Sequence, residues 1–128
     1  MASGQKNLKE ILAATRQIHI SVRGRKTGRT YSYPVWFVLE GRRLYLLPVH
    51  GSDTQWYRNL LRNPAIEITA RARASTRLGT TTAKLRGTPV TRPAAVKAVI
   101  RKFGEKYKAR IVRKLYFKFD AAVRVQLV

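Results

Sequence analysis

Apolar and polar residues alternate along most of this chain, and the period of the alternation changes from element to element. Leu8, Ile11 and Leu12 recur at helical spacing within residues 6–15, which predicts a short amphipathic helix. From Arg16 to Val22, Ile18, Ile20 and Val22 alternate with Gln17, His19 and Ser21, the period of a half-buried strand. A second strand, aromatic on both faces, runs from Tyr31 to Leu39. After Glu40-Gly41 the run from Leu44 to Val49 continues as the third strand of a meander, apolar enough for burial on both faces. His50 to Asp53 reads as a loop whose Ser52 or Asp53 caps the next helix. That helix, Thr54 to Arg62, carries Trp56, Leu60 and Leu61 on one stripe and is stopped by Asn63-Pro64. Ala65 to Ala72 and the stretch around Thr82 to Gly87 alternate again, with a turn near Gly79-Thr80-Thr81. Arg92-Pro93 opens a helix with Val96, Val99, Ile100 and Phe103 on one face. Gly104 is expected to interrupt it before a continuation through Tyr107, Ile111, Val112, Leu115 and Tyr116, and Ala121 to Val128 closes the chain as a strand.

The predicted order is helix, three-strand meander, helix, two strands, helix, strand. Connections of hairpin length favour antiparallel pairing, so the expected fold is mainly β with helices (α+β), a six-stranded antiparallel β-barrel, closed or split, rather than a parallel sheet. A single domain over residues 1–128 is expected, with residues 1–15 as an N-terminal helix and residues 16–128 as a barrel with inserted helices.

Composition narrows the chemistry. Cysteine is absent, which excludes disulfides, thiolate metal sites and cysteine nucleophiles. The two histidines, His19 and His50, and six scattered acids offer no metal-ligating cluster and no carboxylate pair, so no metal and no protein catalytic nucleophile are expected. No apolar leader or membrane-length run is present, and a cytoplasmic protein is expected. Lys+Arg 27 against Asp+Glu 6 gives a formal charge of +21, a field that concentrates any polyanion at the surface.

The strongest local signal is the turn Gly24-Arg25-Lys26-Thr27-Gly28-Arg29 between the first two strands. Two glycines allow φ > 0, so that N–H groups can converge on one concavity, while Arg25, Lys26 and Arg29 add charge and Thr27 a hydroxyl. Such a turn can grip a phosphate or a run of carboxylates beside an aromatic surface.

Gly24-Arg25-Lys26-Thr27-Gly28, then Arg29 with Pro34-Val35-Trp36, then Trp56-Tyr57-Arg58-Asn59-Leu60 and Asn63-Pro64, stand in order within residues 18–70. In this the chain resembles the deazaflavin (coenzyme F420)-dependent nitroreductases, within the split-barrel flavin and deazaflavin oxidoreductases (pyridoxamine phosphate oxidase-like, FMN-binding split barrels). The resemblance implies an F420-dependent oxidoreductase passing a hydride between the deazaflavin and a small organic acceptor of nitro, quinone or enone type. Coenzyme F420 is a flat tricyclic ring joined through a phospholactyl group to an oligoglutamate tail. The resemblance puts its phosphate and tail at Gly24, Arg25, Lys26, Thr27, Gly28 and Arg29, and its ring on Pro34, Val35 and Trp36. Val49, His50 and Gly51 would meet the ring edge, and Trp56 would pack nearby. Tyr57, Tyr107 and Tyr116 are the candidate substrate-side donors. One stretch departs from the pattern: the family's Ala-Ser-x-Gly-Gly loop is replaced by Pro48-Val49-His50-Gly51-Ser52. An FMN-binding flavoprotein is therefore the alternative.

A rival from another class is a nucleic-acid-binding domain, since Lys97 to Lys118 holds nine basic residues against Glu105, with Phe103, Tyr107, Tyr116 and Phe117 interleaved. The apolar residues there keep helical spacing, which assigns them to a core instead. Split-barrel relatives pair through their sheets, so a homodimer is expected by analogy.

Overall fold

The structure is a computed structural model that describes residues 11–13, 15, 17–71 and 80–127. Seven strands follow in chain order: β1 (Ile18–Arg23), β2 (Thr30–Val35), β3 (Phe37–Glu40), β4 (Arg43–Leu46), β5 (Ala65–Arg71), β6 (Thr80–Val90) and β7 (Ala122–Gln126). A 3-10 turn, Gly51–Asp53, and helix α1 (Gln55–Arg62) separate β4 from β5. Helices α2 (Pro93–Tyr107) and α3 (Ala109–Leu115) separate β6 from β7. Every strand pair is antiparallel, and the order across the sheet is β2-β1-β5-β6-β7-β4-β3.

The two ends of that order are halves of one bent strand. The expected strand from Tyr31 to Leu39 breaks at Trp36, after which its first half pairs with β1 and its second half with β4. The chain itself therefore closes the sheet, giving the expected six-stranded antiparallel split barrel and removing its edges. Tyr107, the last residue of α2, secures the bend. Its hydroxyl donates to the Phe37 carbonyl at 2.9 Å and accepts the Phe37 N–H at 3.2 Å.

Strand alternation sorts the core. Ile18, Ile20, Val22, Leu44, Leu46, Ile66, Ile68, Val123 and Val125 point into the barrel with Phe37, Trp56 and Leu60. The opposite faces of β3, β4 and β7 pack under α2 and α3 through Val38, Tyr45, Val99, Phe103, Tyr107, Val112, Tyr116 and Ala122. Burial on both faces is why the third strand of the meander reads as a continuous apolar run, although its ladder ends at Leu46 rather than Val49.

Four local expectations are corrected. Gly104 does not interrupt α2; the break falls at Lys108, with φ 74°, and a Cβ at Gly104 would lie 3.2 Å from the Cβ of Ala109, so the glycine admits the start of α3. Neither Ser52 nor Asp53 caps α1. Thr54 stands at the cap, and its Oγ1 accepts the His50 N–H at 2.9 Å. Thr80 and Thr81 already belong to β6 rather than to a turn, and Gly79 lies outside the described residues. Of the helix expected over residues 6–15, the described residues 11–13 are helical, with Ile11 and Leu12 buried in the barrel core, whereas Thr15 is not helical.

Candidate functional site

The glycine-bounded turn is held in place by α1 across the barrel mouth. Gly24 N–H donates to the Arg29 carbonyl at 2.7 Å, and Gly28, at φ 73°, donates to the Gly24 carbonyl at 3.0 Å. Gly28 alone of the two takes the left-handed conformation. Gly24 is required for a different reason: a Cβ there would sit 2.6 Å from Cε2 of Tyr31, whose ring lies on the turn. Thr27 Oγ1 shares a 3.0 Å hydrogen bond with the Tyr31 hydroxyl and accepts the Arg29 N–H at 3.2 Å, which stiffens the loop.

Arg25 is anchored rather than free. Its backbone N–H and its Nη1 both donate to Oδ1 of Asn59, at 3.1 and 2.7 Å, and Nη2 donates to Gln55 Oε1 at 3.0 Å. Asn59 is the one buried polar side chain among the described residues, and it sits on the inward stripe of α1 between Trp56 and Leu60. Gly24, Arg25, Lys26 and Thr27 join Tyr31, Tyr33, Gln55 and Asn59 around a cavity of about 250 Å³. Lys26 is exposed at its rim.

A second cavity, about 240 Å³, opens farther along β2 and is lined by Gln17, Pro34, Val35, Trp36, Val49, Leu115 and Tyr116. Tyr33 of the first cavity and Val35 of the second share one face of β2, two residues or about 7 Å apart. The indole of Trp36 is backed by Tyr107, with ring centroids 4.2 Å apart and planes 8° from parallel, so the wall is rigid. Burial, and secondarily the neighbouring Tyr107, pushes the Tyr116 hydroxyl above the usual phenol value. It stays a protonated donor at neutral pH.

The expected site residues thus divide. Gly24 to Thr27 line one cavity, and Pro34 to Trp36, Val49 and Tyr116 line the other. Gly28 shapes the turn, and neither it nor Arg29 is among the residues lining these two cavities. His50 is exposed and stacks on Phe117 at 5.1 Å, while Gly51 is buried beneath Asp120 and Lys118. Trp56 and Tyr57 are corrected to core: they lie 5% and 2% exposed on the buried stripe of α1, and Tyr57 is lifted above its ordinary value by burial and then by Asp120. Tyr107 is corrected from substrate-side donor to structural lock, because its hydroxyl is consumed by Phe37.

Sequence reasoning missed Gln17, Tyr31, Tyr33, Gln55 and Leu115 as lining residues. Asn59 could have been found as the lone amide on an apolar helical stripe.

A family model described as F420H(2)-dependent quinone reductase matches residues 3–115. No curated protein sequence matches the chain. Among solved structures, the heme storage protein HutZ from Vibrio cholerae is similar at a TM-score of 0.74 and 21% identity, over 96% of this chain and 89% of that one. An F420-H2 dependent reductase (FDR-A) is similar at a TM-score of 0.62 and 15% identity, covering 87% and 94%. An F420 reductase is similar at 0.62 and 20% identity, covering 94% and 92%. The family match includes the glycine-bounded turn, the bend at Trp36, and helices α1, α2 and α3. The chain belongs to the F420H(2)-dependent quinone reductase family and is an F420-dependent reductase.

Proposed function

We propose that the Gly24–Thr27 cavity takes the phosphate and anionic tail of F420, that the Pro34–Trp36 cavity takes its ring, and that the acceptor is a quinone-type compound entering beside Val49 and Leu115. The observation that carries this reading is the placement of a cavity lined by Arg25, Lys26, Gln55 and Asn59 and a more apolar slot at neighbouring positions of one strand, β2. The residues present fit the group. An extended ligand with a flat apolar end and an anionic end needs that division of linings, and the two cavities, about 250 and 240 Å³, together offer a volume within the ~300–1,000 Å³ typical of cofactor sites.

Lys26 supplies the mobile positive charge. Arg25, whose position Asn59 and Gln55 dictate, keeps the rest of its N–H fork for an oxygen atom. When bound, the deazaflavin supplies the hydride chemistry. The protein positions the ring against the Trp36–Tyr107 stack, and Pro34, Val35 and Val49 exclude water from its face. Tyr116 supplies a hydroxyl that can donate to a carbonyl oxygen of the acceptor.

Parallel titrations with F420 and FMN test the reading. F420 should bind more tightly, and Lys26→Ala should weaken it roughly tenfold, since a charge-assisted contact is worth about 1.5–3 kcal/mol when desolvated and less when exposed. A ring fragment without the tail should lose almost nothing. Equal losses for both ligands would move the anion site elsewhere, and tighter FMN binding would overturn the cofactor assignment to these cavities.

A further inference from the structure

Beside the mouth of the apolar slot, the surface is unusually hydrophobic for one so charged. Phe117 is 69% exposed, Leu115 46%, and Ile111 and Val49 37% each. These side chains are neighbours. Ile111 and Leu115 stand one turn apart on α3, Leu115 and Val49 line the same cavity, and the Phe117 N–H donates to the Val49 carbonyl at 2.8 Å. Four large apolar groups exposed together are a patch that asks for a partner.

Cations surround them. Lys108, Arg110, Arg113 and Lys114 are exposed and make no ion pair among the described residues, and no acid occurs from Lys106 to Phe119. Lys118 alone of this group is neutralised, by Asp53 and Asp120.

We infer that α3 and the segment through Phe117 dock on an anionic lipid surface, with Ile111, Leu115, Phe117 and Val49 entering the headgroup–acyl boundary and the four free cations holding lipid headgroups. Apolar protrusions ringed by lysine and arginine are complementary to such a surface on both counts. A second copy of this chain is a poor occupant, because a two-fold contact would set these cations against themselves. Nucleic acid would use the charge and the Phe117 ring but gains nothing from three exposed aliphatic side chains. Docked this way, the slot mouth faces the bilayer, and a lipid-soluble acceptor can reach it without crossing water. That last consequence rests on the proposed function, whereas the docking does not.

The test is co-sedimentation of the whole protein, without cofactor, at physiological salt. The vesicles are of phosphatidylcholine alone or with about one third phosphatidylglycerol. Binding is expected only to the anionic vesicles. It should fall at least tenfold in Leu115→Ser/Phe117→Ser and again in Arg110→Gln/Arg113→Gln/Lys114→Gln. Lys84→Gln/Arg86→Gln, which removes as exposed a pair of charges from β6, should bind nearly as the parent does. Thermal melting confirms that each variant is folded.

Several results would overturn the inference. One is vesicle binding unchanged in the apolar variant, which reduces the effect to net charge; another is no binding at all. A third is a single-stranded oligonucleotide bound at the same salt with equal sensitivity to the apolar variant, which would assign the patch to nucleic acid. A dimer that dissociates in the apolar variant would assign it to a second copy. Because no cofactor is present in the assay, failure of the docking is distinguishable from failure of the F420 assignment.

Discussion

Replacing Asn59 with alanine should unfasten the cofactor turn from the barrel, and the size of the effect can be worked from the hydrogen bonds it breaks. Asn59 Oδ1 accepts from the Arg25 backbone N–H at 3.1 Å and from its Nη1 at 2.7 Å. The neutral bond is worth about 1 kcal/mol net and the charged one about 1.5–3 kcal/mol. A half-buried N–H left unpaired adds to the loss, although the guanidinium can recover water at the rim. The expected destabilisation is about 2–4 kcal/mol. For a domain of this size that lowers Tm by roughly 6–15 °C, since each kcal/mol shifts Tm by a few degrees. Arg25→Ala removes the side-chain bonds to Asn59 and to the exposed Gln55 but leaves its backbone N–H paired with Asn59, so it should cost less, about 1.5–3 kcal/mol.

The double variant, measured by urea unfolding, then isolates the pair. A coupling of about 1–2 kcal/mol is expected, because the residues share one oxygen atom. F420 affinity should fall in Asn59→Ala even though no charge is lost. A cost below about 0.5 kcal/mol, or a coupling near zero, would refute the idea that α1 positions the turn.

Other outcomes follow from single contacts. Tyr107→Phe deletes both bonds to Phe37 and should cost about 1–3 kcal/mol by chemical unfolding, with faster amide exchange at Phe37 before any global change. Intact protection at Phe37 would refute the lock. Gly24→Ala places a methyl 2.6 Å from Tyr31 Cε2 and should destabilise by about 1–3 kcal/mol while weakening F420, an effect that Tyr31→Ala should largely rescue in the melting curve. Burial pushes the Asp120 carboxyl up, but hydrogen bonds from the Ser52 side chain and backbone, together with the Lys118 charge, outweigh it and hold the group below its ordinary value. Its contribution is therefore complete above the ordinary carboxylate value and is lost as pH falls through the lowered one. Asp120→Asn should flatten the acid limb of stability against pH, by less than about 1 kcal/mol at so exposed a site. An unchanged acid limb would contradict this.

Periodicity alone was enough to find the strands, because a two-residue or 3.6-residue repeat is a property of neighbouring residues. The double-faced burial of Leu44 to Leu47, the α1 stripe and the charged, glycine-bounded turn were legible for the same reason, and so were the motifs that carry the family. What the residues could not disclose locally was which side chain meets which across the fold. The bend at Trp36 exists because one strand must pair with β1 on one side and β4 on the other, a demand that arises only when the barrel closes. Tyr107 is a candidate substrate-side donor until the fold brings it to Phe37, seventy residues earlier. Arg25 reads as a free ligand for phosphate until Asn59, thirty-four residues on, takes two of its donors. Ser52 reads as a helix cap until Asp120 takes it, sixty-eight residues away. A polar group bonds to whatever partner the packed chain delivers within about 3 Å. Sequence neighbours determine the element it stands on, and tertiary packing alone decides whether its hydrogen-bonding capacity is left for a ligand or used within the fold.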